Sequence, residues 1–235
     1  MKVIAFLTLF MSSLLFAEFK HYGNFSNMIK TRDLSGVVDI STLKLEQKGV
    51  YALGAMSNAK GEITIFDGNV YLSYGDKGVD KTYSTIPKST KAMLLATIKP
   101  EKFSTKIEIE HDMSDVDFYL FGELEEMAKK SGIDIEKPFL FVLDGEFSNI
   151  LWHIIDGKNH KIHSDDKRGK LMKKLFVSKK SESGIIYGVY SKNSDGVFTH
   201  PGENYHAHGV FSSGEQAGHI DEFTIKANTT LRLAQ

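Results

Sequence analysis

An Asp-Gly pair between two apolar alternations is the strongest short-range hairpin signal a sequence carries. Both residues accept the positive φ that a tight two-residue turn demands. Asp67-Gly68 lies between Glu62-Ile63-Thr64-Ile65-Phe66 and Asn69-Val70-Tyr71-Leu72, and Asp144-Gly145 lies between residues 138–143 and 146–155. Each is therefore read as the turn of a hairpin, one in each half of the chain, which hints at a duplicated plan. Residues 50–56, 91–98, 103–109, 184–191 and 222–233 read as further strands. One helix interrupts them. Val116, Leu120, Leu124 and Met127 form an apolar stripe, Ser114 and Asp117 make a capping start, Lys129 and Lys130 fall in the last turn, and Gly132 is the stop. Such a stripe is core packing. A short helix is expected at residues 24–30, with Phe25, Met28 and Ile29 at helical spacing. The expected class is α+β and strand-dominated, with two packed mixed or antiparallel β halves and few helices. The halves, 18–132 and 133–235, are intertwined in one domain, because no linker rich in Pro, Gly or Ser separates them.

A chain of 235 residues has ample room for a core. Its 29 basic and 30 acidic side chains nearly balance and form no basic tract, which argues against a nucleic-acid partner. Met1-Lys2 followed by an apolar run over 3–16 and then Ala17 reads as a signal peptide, residues 1–17, cut after Ala17. Leu15 stands where a small residue is usual. The run is short for a membrane span, so export to the periplasm or medium is expected, with no stable membrane insertion after cleavage. There is no cysteine. The exported protein therefore has neither disulfides nor an acylated cysteine, and any metal must be held by nitrogen and oxygen.

Three of the nine histidines fall in the stretch 201–223, PGENYHAHGVFSSGEQAGHIDEF. His206 and His208 share a face of an extended strand. Ser212-Ser213-Gly214-Glu215 is a natural turn, and it is equidistant from His208 and His219. A reversal centred there places His219 directly opposite His208 and on the same face. Three converging imidazoles make a catalytic metal site with an open position, and zinc is the default ion, although nickel, copper, manganese or iron could bind. A cupin-type pair would need an acid sooner than Glu215, the first after His208. His160 and His163, in the polar loop 157–170, read as solvated.

With these residues in view, the chain resembles the alpha-acetolactate decarboxylase family. The family's GYHLHF-like strand and following GGH segment are similar to Asn204-Tyr205-His206-Ala207-His208-Gly209 and Ala217-Gly218-His219. Its earlier G-T-F-N-x-L-D-G-E motif is similar to residues 54–62 here, ending on Glu62, with Ala55 in the threonine's place. Leu143-Asp144-Gly145-Glu146 matches that motif literally but sits in the wrong half. A family arginine aligns with His153, and the active-site glutamate that the family carries near its C-terminus finds no match up to Gln235. The resemblance implies zinc on His206, His208 and His219, Glu62 as proton donor beside it, and a dimer. It also implies decarboxylation of a small 2-hydroxy-3-keto acid, acetolactate to acetoin. His153 takes the arginine's place as a protonated group, a proton relay or a supporting partner; a core histidine beside Trp152 is an equal reading. The alternative is an exported metal- or ligand-binding protein on the same scaffold without turnover.

Overall fold

The computed structural model describes residues 18–104, 106–120, 122–157 and 172–235. The expected leader, His160 and His163 lie outside these residues. Two antiparallel sheets dominate. The first contains β1 (Glu18–Tyr22), β2 (Val38–Asp39), β3 (Tyr51–Met56), β4 (Gly61–Phe66), β5 (Asn69–Tyr74) and β6 (Lys91–Lys99), in the order β1-β6-β3-β4-β5 with β2 also on β6. The second contains β7 (Ile107–Glu108), β8 (Met113–Ser114), β9 (Phe139–Asp156), β10 (Lys173–Tyr190), β11 (Tyr205–Phe211), β12 (Gln216–Ile225) and β13 (Thr230–Ala234), in the order β7-β13-β9-β10-β11-β12-β8. Because β12 also pairs with β9, strands β9 to β12 close into a ring. Closure removes two exposed edges and brings the middle of β9 beside the histidine hairpin.

The first Asp-Gly pair is the expected turn. Asp67 and Gly68 both have positive φ, 51° and 79°, and join Phe66 to its partner Asn69. The second pair is not a turn. Strand β9 runs through Asp144-Gly145 without a break, and Gly145 faces Gly184 of β10. A Cβ on Gly145 would lie 2.6–2.9 Å from atoms of Thr229, so close approach by a distant segment requires the glycine there. The chain instead reverses beyond Asp156, whose partner is Lys173. No duplicated hairpin results. Two other strands also differ from expectation. Among the described residues of 103–109, strand pairing is limited to the two of β7 and a bridge from Phe103 to Ala234, with further backbone hydrogen bonds from Ser104 and Ile109. The stretch 222–233 is split between β12 and β13 by a turn in which Asn228 has φ 68°.

Helix α1 (Phe25–Thr31) forms where expected, and the Asn24 side chain accepts the Asn27 N–H at 2.8 Å. The second expected helix is broken in two. A π-type turn spans Val116–Leu120, and α2 (Glu123–Lys130) starts after Gly122, which has φ 85°. The capping start is present, with the Asp117 N–H donating to Ser114 Oγ at 3.1 Å. The wider turn shifts the helical phase. Val116 and Leu120 are exposed as a result, while Leu124 and Met127 of the expected stripe pack inward together with Phe118 and Ala128.

Trp152, Phe141, Phe147, Phe211 and Phe223 are fully buried in the core of the second sheet. Between the sheets, Tyr51, Leu53 and Leu94 meet Val142, Tyr187 and Val210. Buried hydrogen bonds also tie the layers, among them Tyr187 Oη donating to Ala52 O at 2.8 Å and Ser73 Oγ to Ala217 O at 2.6 Å. Among the described residues, no helix is long and apolar enough to cross a membrane.

Candidate active site

Strand alternation puts His206 and His208 on one face of β11, and the Ser212–Gly214 turn returns the chain so that His208 and His219 are direct partners. This is the register expected from the turn's position. All three rings are buried. Ring centroids are 5.2 Å apart for His206 and His208, 4.9 Å for His206 and His219, and 5.7 Å for His208 and His219. One nitrogen from each lies within 4.8 Å of the others.

On the other side of β12, His219 faces His153 of β9, with centroids 4.8 Å apart. His153 is thus part of the cluster, while its neighbour Trp152 points into the core. Asp221 Oδ2 lies 2.5 Å from His153 Nδ1, and Lys174 Nζ lies 3.4 Å from the other oxygen, Oδ1. The first sheet contributes through β4. Glu62 and Thr64 share a face of that strand. Thr64 Oγ1 lies 2.7 Å from His208 Nδ1, and Glu62 Oε2 lies 3.8 Å from His208 Nε2. Glu62 is buried and accepts the Ile155 backbone N–H.

Burial decides the protonation states. It pushes the Glu62 carboxyl up to about 8, against the opposing pull of the Ile155 N–H and Lys174. It pushes His206 down to about 3 and His208 and His219 well below the ordinary imidazole value, with neighbouring imidazoles adding to the effect. His153 is also lowered by burial, with Asp221 opposing. The site therefore presents neutral imidazoles beside a protonated carboxylic acid at neutral pH.

Neutral imidazoles are what a divalent metal requires of its ligands. His208 Nε2 is buried with no hydrogen-bond partner, a costly condition that a metal ion would relieve. Its Nδ1 meets Thr64, and His206 Nδ1–H donates to Phe198 O at 2.9 Å, which leaves Nε2 as the ligand atom. These residues fit a metal. A cavity of about 480 Å³ opens onto Glu62, His153, His206 and His219, and its other walls include Met28, Met93, Met172, Phe176 and Phe198.

Thr64, Asp221 and His200 were not singled out by sequence reasoning. Thr64 and Asp221 each follow a predicted site residue by two positions, Glu62 and His219, so strand alternation could have found both. His200, whose ring is 5.0 Å from His219, gave no comparable signal.

The sequence profile of alpha-acetolactate decarboxylase matches residues 22–235. The chain belongs to the alpha-acetolactate decarboxylase family. Alpha-acetolactate decarboxylase from Bacillus subtilis strain 168 shares the fold, with a TM-score of 0.68 over 92% of this chain and 85% of that one at 15% identity. A Staphylococcus aureus protein of unknown function, described as similar to alpha-acetolactate decarboxylase, aligns with a TM-score of 0.66 over 92% and 84% at 16% identity. No curated protein sequence matches the chain. Family membership supports a carboxy-lyase with a small-molecule substrate at the family level.

Proposed function

We propose that this protein is a metal-dependent carboxy-lyase that converts acetolactate, or a close 2-hydroxy-3-keto acid, to acetoin or its analogue and CO2. Zinc is the proposed ion, held by His206, His208 and His219. The observation that carries this reading is the buried Glu62 carboxyl 3.8 Å from the unpartnered Nε2 of His208, beside the three converging imidazoles. When bound, the ion supplies Lewis-acid polarisation of the substrate's carbonyl and hydroxyl oxygens. Decarboxylation breaks the bond between the carboxylate carbon and C2, and the electron pair moves onto the neighbouring carbonyl oxygen. C2 must then receive a proton. Glu62 in its acid form donates that proton, becomes carboxylate, and is reprotonated from solvent. Delivery from one fixed side sets the product's stereochemistry. His153 has its Nδ1–H directed to Asp221, so Nε2 accepts a hydrogen bond from the substrate hydroxyl. The apolar remainder of the cavity limits water around the reacting carbon.

The test is incubation of metal-reconstituted protein with racemic acetolactate. Acetoin and CO2 are expected in equal amounts, lost on chelation and restored by zinc. Tight uptake of one ion per chain with no product would instead establish a binding protein. We also infer export, because the apolar run 3–16 after Lys2 ends at Ala17 before a polar segment. N-terminal sequencing of protein recovered outside the cytoplasm is expected to begin at Glu18; a chain retained inside and beginning at Met1 would contradict this.

A further inference from the structure

A small acid entering this cavity brings a full negative charge, and apart from the proposed ion few of the side chains it meets offer a charge to balance it. Glu62 and Asp221 are themselves acids, His206 and His219 are the proposed metal ligands, and His153 is engaged with Asp221 through Nδ1. Lys174 is different. It sits on β10 opposite Ile155, two residues from Phe176, which opposes His153. Alternation therefore puts Lys174 on the same face as His153. Its side chain is about one-third exposed, and it lines the large cavity. It also lines a second, polar cavity of about 250 Å³ that reaches His219 from the side of Glu203 and Tyr205. The charge is thus at the point where the two cavities meet.

Asp221 does not use this cation up. The ammonium lies 3.4 Å from Asp221 Oδ1, a long contact, and Asp221 already binds His153 through its other oxygen. An ammonium has three donors, so two are left for a ligand. Its neighbour Lys173 is exposed and on the opposite face of the strand, at the cavity rim.

We infer that Lys174 binds the carboxylate of the substrate, so that the site selects a free acid and fixes which end faces the histidines. The inference rests on the proposed reading only in taking the ligand to be a 2-hydroxy acid. The carboxylate loses its charge as CO2 forms, so a cation on it favours the ground state at least as much as the transition state. Its removal should therefore raise KM more than it lowers kcat.

The test uses zinc-loaded protein and two unreactive probes, 2-hydroxyisobutyrate and its neutral amide, with binding measured by calorimetry. Wild-type protein is expected to prefer the acid. Lys174→Met should lower that preference by about tenfold or more while the amide's affinity stays the same, and Lys174→Arg should restore it. Lys174→Gln serves as a second neutral variant should the methionine variant fold poorly. An unchanged acid-to-amide ratio in the neutral variants would overturn the inference, as would an equal loss in Lys173→Met. Failure of the proposed reaction is separable from this. A wild-type protein that makes no acetoin but loses acid preference on Lys174→Met refutes the reaction and upholds Lys174. Acetoin formation with an untouched preference does the reverse.

Discussion

His153 and Asp221 show how one polar contact changes the meaning of a side chain. Sequence alone left His153 between a charged substitute for arginine, a relay and a core residue beside Trp152. Burial holds it neutral, and Asp221 at 2.5 Å fixes which nitrogen carries the proton. Asp221→Asn preserves the shape but replaces the acceptor-only carboxylate by an amide that can turn a donor NH2 toward His153, so the tautomer is no longer fixed. Turnover is expected to fall about 10- to 100-fold with metal content unchanged. Steady-state kinetics alongside elemental analysis would check this, and wild-type rates in the variant would rule out an orienting role for Asp221. The histidines and Glu62 were legible because imidazole at i and i+2 and a motif-borne acid carry their chemistry in the sequence itself. Lys174 was not, because nothing in the sequence ties that lysine, one of many, to Asp221.

At the level of strands and turns, local geometry was legible and distant contacts were not. Asp67-Gly68 forms its turn because both residues adopt the positive φ themselves, and Asp67 Oδ1 also accepts the Gly49 N–H at 2.7 Å. Asp144-Gly145 carries the same letters, yet its glycine answers to Thr229, more than eighty positions away. The histidine hairpin was legible because turn position sets register. Closure of β12 onto β9, which brings in His153, has no local signature. Substituting threonine at the two aspartates separates the cases. Asp67→Thr is expected to cost about 1 kcal/mol or more, from lost turn geometry and a lost hydrogen bond. Asp144→Thr, exposed within a strand, should be neutral or slightly stabilising, by up to about 0.5 kcal/mol. Urea unfolding of both variants measures this, and equal destabilisation would contradict an unbroken β9.

At the scale of the molecule, the site exists because two sheets dock. Glu62 and Thr64 come from the first, and His153, His206, His208, His219 and Asp221 from the second. Sequence patterning gave two β halves but not the face-to-face fit that sets Thr64 against His208. Burying so many ionisable groups at this junction couples folding to pH. The folded His206 value of about 3 lies below its ordinary 6.5, so its contribution to stability is present above about pH 6.5 and lost as pH falls toward 3. His208 and His219 act in the same direction. Glu62, raised from 4.5 to about 8, acts oppositely, contributing below about pH 4.5 and losing that contribution as pH rises through 8. Three histidines outweigh one carboxyl between these limits. Metal-free protein should melt highest near pH 6–7, with a steeper fall on the acid side. Thermal melts in chelator across pH 4–9 would reveal the profile, and a Tm that rises below pH 6 would contradict it.

The most direct measurement compares acetoin formation by wild-type and Glu62→Gln protein, each loaded with metal. Both are expected to hold one ion per chain, because the three histidines are intact, while the variant's kcat falls by about 10²- to 10⁴-fold. Equal rates in the two proteins, or no acetoin from a fully loaded wild type, would contradict the role given to Glu62 and the histidine cluster.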